Sequence, residues 1–123
     1  AGSPYYGIRS VYDGRYRYIV NLTPEATFQN VETKSPLFKE WKRLAETDSH
    51  AKAMTTKYQH RPAIELYDVK NDPYCMKNLA EDAKQASTIS RLDKELKRWM
   101  KDCGDEGQPT EMRAFEHMPG KRK

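Results

Sequence analysis

No stretch of this 123-residue chain comes near the roughly 18 unbroken apolar residues that a membrane-spanning helix needs. No charged-then-apolar segment at its start reads as a secretory leader. Its two cysteines, Cys75 and Cys103, lack CxxC spacing and accompanying histidines, which argues against a zinc site. They are read either as one disulfide, if the segment before the last helix folds back onto its end, or as two free thiols. A Gly-rich phosphate loop, HExxH and GxSxG are all missing. Apolar residues are scarce too, 37% against 33% charged, which is lean for a globular domain. A single domain of this length buries roughly two-thirds of its unfolded surface. The expectation is therefore a small core, either with poorly packed segments around it or completed by a surface outside the chain. The sequence opens on Ala1-Gly2-Ser3-Pro4 rather than on methionine, which reads as a boundary within something longer.

What charge there is carries little pattern. Twenty-two Lys and Arg against 18 Asp and Glu leave +4, but the signs are interleaved, and only Lys121-Arg122-Lys123 forms a basic run. A nucleic-acid binder usually gathers its basic residues on one face, so nucleic acid is not expected as a partner. His50, His60 and His117 lie far apart and read as surface histidines. Asp13, Asp68 and Asp72 are explained by turns, in which Asp side chains hold nearby backbone amides. Asn21-Leu22-Thr23 matches a glycosylation acceptor, but a proline follows this short pattern.

The residues predict an α+β fold: a small antiparallel sheet of three to four strands, begun by a hairpin and packed against a long C-terminal amphipathic helix. One or two short helices lie between strands. Tyr6–Tyr12 and Arg15–Leu22 flank Asp13-Gly14, which suits a two-residue type I′ turn. Pairing Tyr12 with Arg15 would put Val11, Tyr16, Tyr18, Val20 and Leu22 on one face. Arg9 would join them opposite Tyr18, either stacked or salt-bridged. Ser35 is an expected N-cap with Pro36 at the first helical position. Leu37, Phe38, Trp41, Leu44 and Ala45 follow at helical spacing, and a second short helix runs through Ala51, Met54 and Tyr58 to the break at His60-Arg61-Pro62. Ala63–Val69 reads as the third strand, with a turn at 70–73. The strongest helix carries Ala83, Ala86, Ile89, Leu92, Leu96, Trp99, Met100 and Cys103 on one stripe and ends at Gly104. Residues 105–123 are read as an extended tail.

Taken in order, these features resemble the C-terminal subdomain of sulfatases. Tyr6-Gly7-Ile8-Arg9-Ser10-Val11 with Arg15–Leu22 is similar to the family's opening hairpin. Glu65-Leu66-Tyr67-Asp68-Val69, Asn71-Asp72-Pro73 and Asn78-Leu79-Ala80 resemble its ELYDL-x-x-DP-x-E-x-x-NLA segment, and Trp99-Met100 its helix-ending pair. The resemblance runs from about residue 4 to residue 107. It looks closest to the heparan N-sulfatase (sulfamidase) branch, where Ser35-Pro36-Leu37-Phe38 has a similar counterpart. Cys75 departs from the pattern, standing where the family usually has Glu.

The resemblance implies a subdomain over residues 1–104, structural in role, belonging to an enzyme that hydrolyses sulfate esters or N-sulfates on carbohydrates such as heparan-type glycans. Its chemistry would lie in a missing N-terminal catalytic domain, with a formylglycine made from a C/S-x-P-x-R motif and a calcium ion. Neither Cys75-Met76-Lys77 nor Cys103-Gly104-Asp105 matches that motif, so no catalytic or metal-binding residue is assigned here. The second face of the hairpin, with Tyr6, Ile8, Tyr12 and Ile19, is the expected docking face for that domain. Tyr58, His60 and Arg61 are the candidates for contact with a sulfated sugar, because an Arg fork suits sulfate oxygens as it suits phosphate. The plainer alternative is a solvated loop whose arginine pairs with a nearby carboxylate. An extracytoplasmic location follows from the resemblance alone. A free-standing sulfated-glycan or anion-binding module, motivated by +4 and eight tyrosines, is the alternative function, and a small nucleic-acid binder the third.

Overall fold

In the computed structural model, which describes residues 6–117, strand β1 (Ile8–Tyr12) turns back into β2 (Tyr16–Asn21). The turn differs in detail from the expected one. Tyr12 pairs with Arg17, not Arg15, and Arg9 stands opposite Val20. The Asp13 amide donates to the Tyr16 carbonyl at 3.2 Å, which makes Gly14 and Arg15 the central pair. Only Gly14 has positive φ, +100°, as a type II′ turn requires at its first central position. The Asp13 carboxylate fixes this choice by accepting the amides of Arg15 and Tyr16 at 2.9 and 2.7 Å. Because the pairing shifts by an even number of residues, each side chain keeps its predicted face.

β3 (Ile64–Asp68) joins the free edge of β2, giving an antiparallel sheet of order β1-β2-β3. Two helices lie between β2 and β3 in sequence, α1 (Pro36–Leu44) and α2 (Ser49–Gln59). Ser35 caps α1 by accepting the Phe38 amide at 3.1 Å, and Asp48 caps α2 through the Ala51 amide at 2.7 Å. The long helix α3 (Ala86–Asp102) crosses one face of the sheet. There Leu92 and Leu96 meet Tyr18 and Leu66, with Val11, Tyr16, Val20, Ile89 and Met100 around them. The stripe on α3 is narrower than its sequence spacing suggests. Trp99 and Cys103 are exposed to solvent, while Met100 between them packs against the core. Both cysteines are free thiols.

The segment read as an extended tail folds back instead. After the stop at Gly104 (φ +73°), α4 (Gln108–Met112) and a 3₁₀ turn at Ala114–His117 follow. Arg9 anchors this return, held by Asp105 and by Glu111 at 2.7 Å. Gly7 permits it: a Cβ there would stand 2.5 Å from the Glu111 side chain and 2.7 Å from that of Leu22. Of the two alternatives for Arg9, the salt bridge is the one observed. The Lys121-Arg122-Lys123 run, the end of the tail and the first residues of the sulfatase resemblance lie outside the described residues.

Candidate functional site

The face of the sheet away from α3 carries alternate residues of β2 and β3: Arg17, Ile19 and Asn21 beside Glu65 and Tyr67. Opposite them lie α1, α2 and the segment 74–76, and between the two sides opens a cleft of ≈ 480 Å³. Its floor is polar and tied down. Glu65, 6% exposed, accepts the Tyr67 hydroxyl at 2.6 Å and the Asn21 side-chain amide at 2.8 Å. Asn21 also donates to the Pro62 carbonyl at 2.6 Å. Burial, then the bond to Glu65, pushes the Tyr67 phenol well above its ordinary pKa, so it remains a donor throughout the physiological range. These bonds also settle the glycosylation pattern, since the Asn21 nitrogen is buried and engaged in the folded chain.

Three cations line the cleft against the single carboxyl group of Glu65. Lys57 donates to the carbonyls of Cys75 and Met76 at 2.5 and 3.2 Å and lies 5.1 Å above the Tyr67 ring. Cys75 bends the chain toward it with positive φ, +52°. Arg17 lies beside Tyr12, its guanidinium 5.6 Å from the ring centre. Arg61 is held by aromatic faces, 4.3 Å from the Phe28 ring and 5.8 Å from the Tyr58 ring, and donates to the Tyr58 carbonyl at 3.3 Å. Among the described residues no carboxylate lies within ion-pair distance of Arg61. The carboxylate partner expected of a plain solvated loop is replaced by a stacking platform.

Tyr58 and Arg61 therefore come together on the cleft wall, and the Tyr58 hydroxyl is fixed by the Asn30 side-chain amide at 3.0 Å. His60 is exposed at the end of α2 and does not line the cleft. On the expected docking face, Ile8 and Ile19 are half-buried and Tyr12 is exposed. Tyr6 packs edge-on against Phe28, 5.1 Å between ring centres. Sequence reasoning missed Arg17, Lys57, Trp41 and Tyr74 as lining residues. For Arg17 the signal is its alternation with Tyr18 on β2; for Tyr74 there is none, because its place depends on how the turn at 70–73 docks.

Among the described residues, no three His, Cys, Asp or Glu side chains gather as a metal site. No helix described is long and apolar enough to cross a membrane.

No protein-family model matches the chain. Two ulvan-active sulfatases of Formosa agariphila are similar to it. One is 34% identical over 108 residues, or 85% of this chain, and the other 33% identical over 98 residues, or 79%. The chain spans 18% of the length of each of these curated relatives. Both are named for ulvan, so they support a likeness to sulfatases and lend none to the heparan N-sulfatase branch. Over most of its residues, this chain is related to sulfatases.

Proposed function

We propose that this chain is the C-terminal subdomain of a sulfatase acting on a sulfated carbohydrate, non-catalytic by itself, with the reaction carried out by a preceding catalytic domain. The observation that carries this reading is the similarity to two sulfatases across most of this chain but only 18% of theirs. In this reading the chain supplies no catalytic group and no metal ligand of its own. Formylglycine and calcium would belong to the other domain. An extracytoplasmic location is part of the same proposal.

Within that enzyme, Tyr6, Ile8, Tyr12 and Ile19 would contribute to docking, and Arg61, with Tyr58 beside it and His60 at the rim, to the edge of the substrate cleft. The names of the two relatives favour a sulfate ester of the kind found in ulvan over a heparan-type N-sulfate. Sulfate release by the whole polypeptide from ulvan and from heparan sulfate separates these substrates. In that enzyme Arg61→Ala raises KM with kcat unchanged, the pattern of lost uniform binding; unchanged kinetics would remove Arg61 from the substrate. The three cations of the cleft favour a second reading, a free-standing module that binds sulfated glycans. Salt-sensitive affinity of the 123-residue chain for a sulfated oligosaccharide would support that module.

A further inference from the structure

The cleft over the sheet holds its cations at two separate places. Arg17 and Tyr67 are cross-strand partners, and the Lys57 ammonium lies 5.1 Å above the Tyr67 ring, so these two cations flank one aromatic side chain. Arg61 stands toward the Asn21 end of the floor, since it precedes Pro62, whose carbonyl accepts the Asn21 side-chain amide. Along β2 the rise from Arg17 to Asn21 is about 13 Å. Two positions so far apart suit two charged groups on one extended anion better than a single small ion.

Much of their donor capacity is unspent. The Lys57 ammonium has three N–H donors and gives two to the carbonyls of Cys75 and Met76. The Arg61 guanidinium has five and gives one, from Nε to the Tyr58 carbonyl. Arg17 has only the Tyr12 ring beside it among the described residues. The one carboxyl group lining the cleft is already engaged, because the two Glu65 oxygens accept Tyr67 and Asn21 separately. Trp41 and Tyr74, 49% and 85% exposed, stand on the cleft wall. A sugar ring offers apolar C–H faces to such aromatic side chains and its anionic substituents to the cations, the usual division of labour in a ligand site.

We propose that this cleft is a subsite for the length of a polyanionic glycan, holding the part of the chain beyond the sugar that loses its sulfate. Arg61 takes one anionic substituent, Lys57 with Arg17 takes a second, and Trp41 and Tyr74 offer faces to the ring. This rests on the proposed function and names what its cleft selects: a chain carrying several charges, not a sulfated monosaccharide.

Arg17 and Tyr74 are exposed side chains outside the core, so Arg17→Gln and Tyr74→Ala leave the fold in place. Sulfate release by the whole polypeptide is measured on ulvan oligosaccharides of increasing length. Each variant raises KM for long oligosaccharides roughly tenfold more than for the shortest one desulfated, the pattern of a lost charged or stacking contact away from the reacting group. An equal rise at every length, or none, overturns the subsite and leaves the sulfatase reading standing. If no length yields sulfate, the sulfatase reading falls, and titration of the 123-residue chain with the longest oligosaccharide decides the site. Salt-sensitive binding that either variant weakens roughly tenfold sustains it. No binding, or equal binding by the variants, overturns it. Equal affinity for single-stranded DNA of matched charge also overturns it, since that marks an unselective polyanion surface.

Discussion

Arg9 and Asp105 stand at opposite ends of the described fold and meet in a two-pronged ion pair, both side chains largely buried. The pair clasps the return segment after α3 to the first strand, with Glu111 as a third member. Asp105→Ala leaves the Arg9 guanidinium with Glu111 alone inside a half-buried site. The expected loss is about 1–3 kcal/mol of stability, read as a lower midpoint in urea unfolding. A midpoint equal to that of the unmodified chain would show that the clasp contributes nothing.

Acid should weaken the hairpin. Arg91 and the amides of Tyr16 and Arg15 hold the Asp13 carboxyl at a pKa of about 2. Arg15 and then Asn71 do the same for Asp68, also about 2. Both values lie below the ordinary carboxylate value of about 3.9. A depressed folded-state pKa contributes stability that is present above the unfolded value and lost as pH falls through the folded one. Stability should therefore decline between about pH 4 and pH 2. Arg91→Ala should flatten part of that decline, as thermal unfolding across the range would show. Added salt should reduce the Arg15–Asp68 share, because that arginine is half exposed.

Beneath the cleft, Asn21→Ala removes one of the two side-chain donors to buried Glu65 and should cost about 1–3 kcal/mol. Tyr67→Phe removes the other. The two changes share an acceptor, so their sum should differ from the double variant. A strictly additive pair would contradict the shared network.

On α3, Leu96→Ala should cost about 2–5 kcal/mol, whereas Trp99→Ala should stay within about 0.5 kcal/mol. Leu96 is buried in the core and Trp99 is exposed. Unfolding of the two variants checks whether the helix faces the sheet as described.

Local chemistry made much of this fold legible before any coordinates. Ser35-Pro36 and Gly104 each mark a helix boundary through a backbone requirement, and each boundary is observed, while Asp13-Gly14 marks the place of the hairpin turn but not its central pair. The hairpin slipped in register because the Asp13 carboxylate, not a pair of positive φ angles, decides the turn. Helix α4 escaped notice because five residues are too few to show a period. Its placement depends on Glu111 reaching Arg9, a long-range contact that no local pattern encodes. At the candidate site, the Tyr58–Arg61 grouping followed from proximity in sequence. The Phe28 ring beneath Arg61 and the Lys57 link to Cys75 arise only once separate loops dock. The exposure of Trp41 was likewise hidden, since an apolar stripe looks the same whether it faces a core or a partner.

The most direct test of the central claim is sulfate release, measured side by side for the whole polypeptide that contains this chain and for the 123 residues alone. Release from ulvan or another sulfated carbohydrate is expected from the whole polypeptide and none from the isolated chain. Release by the isolated chain, or an inactive polypeptide on every sulfated carbohydrate offered, would contradict it.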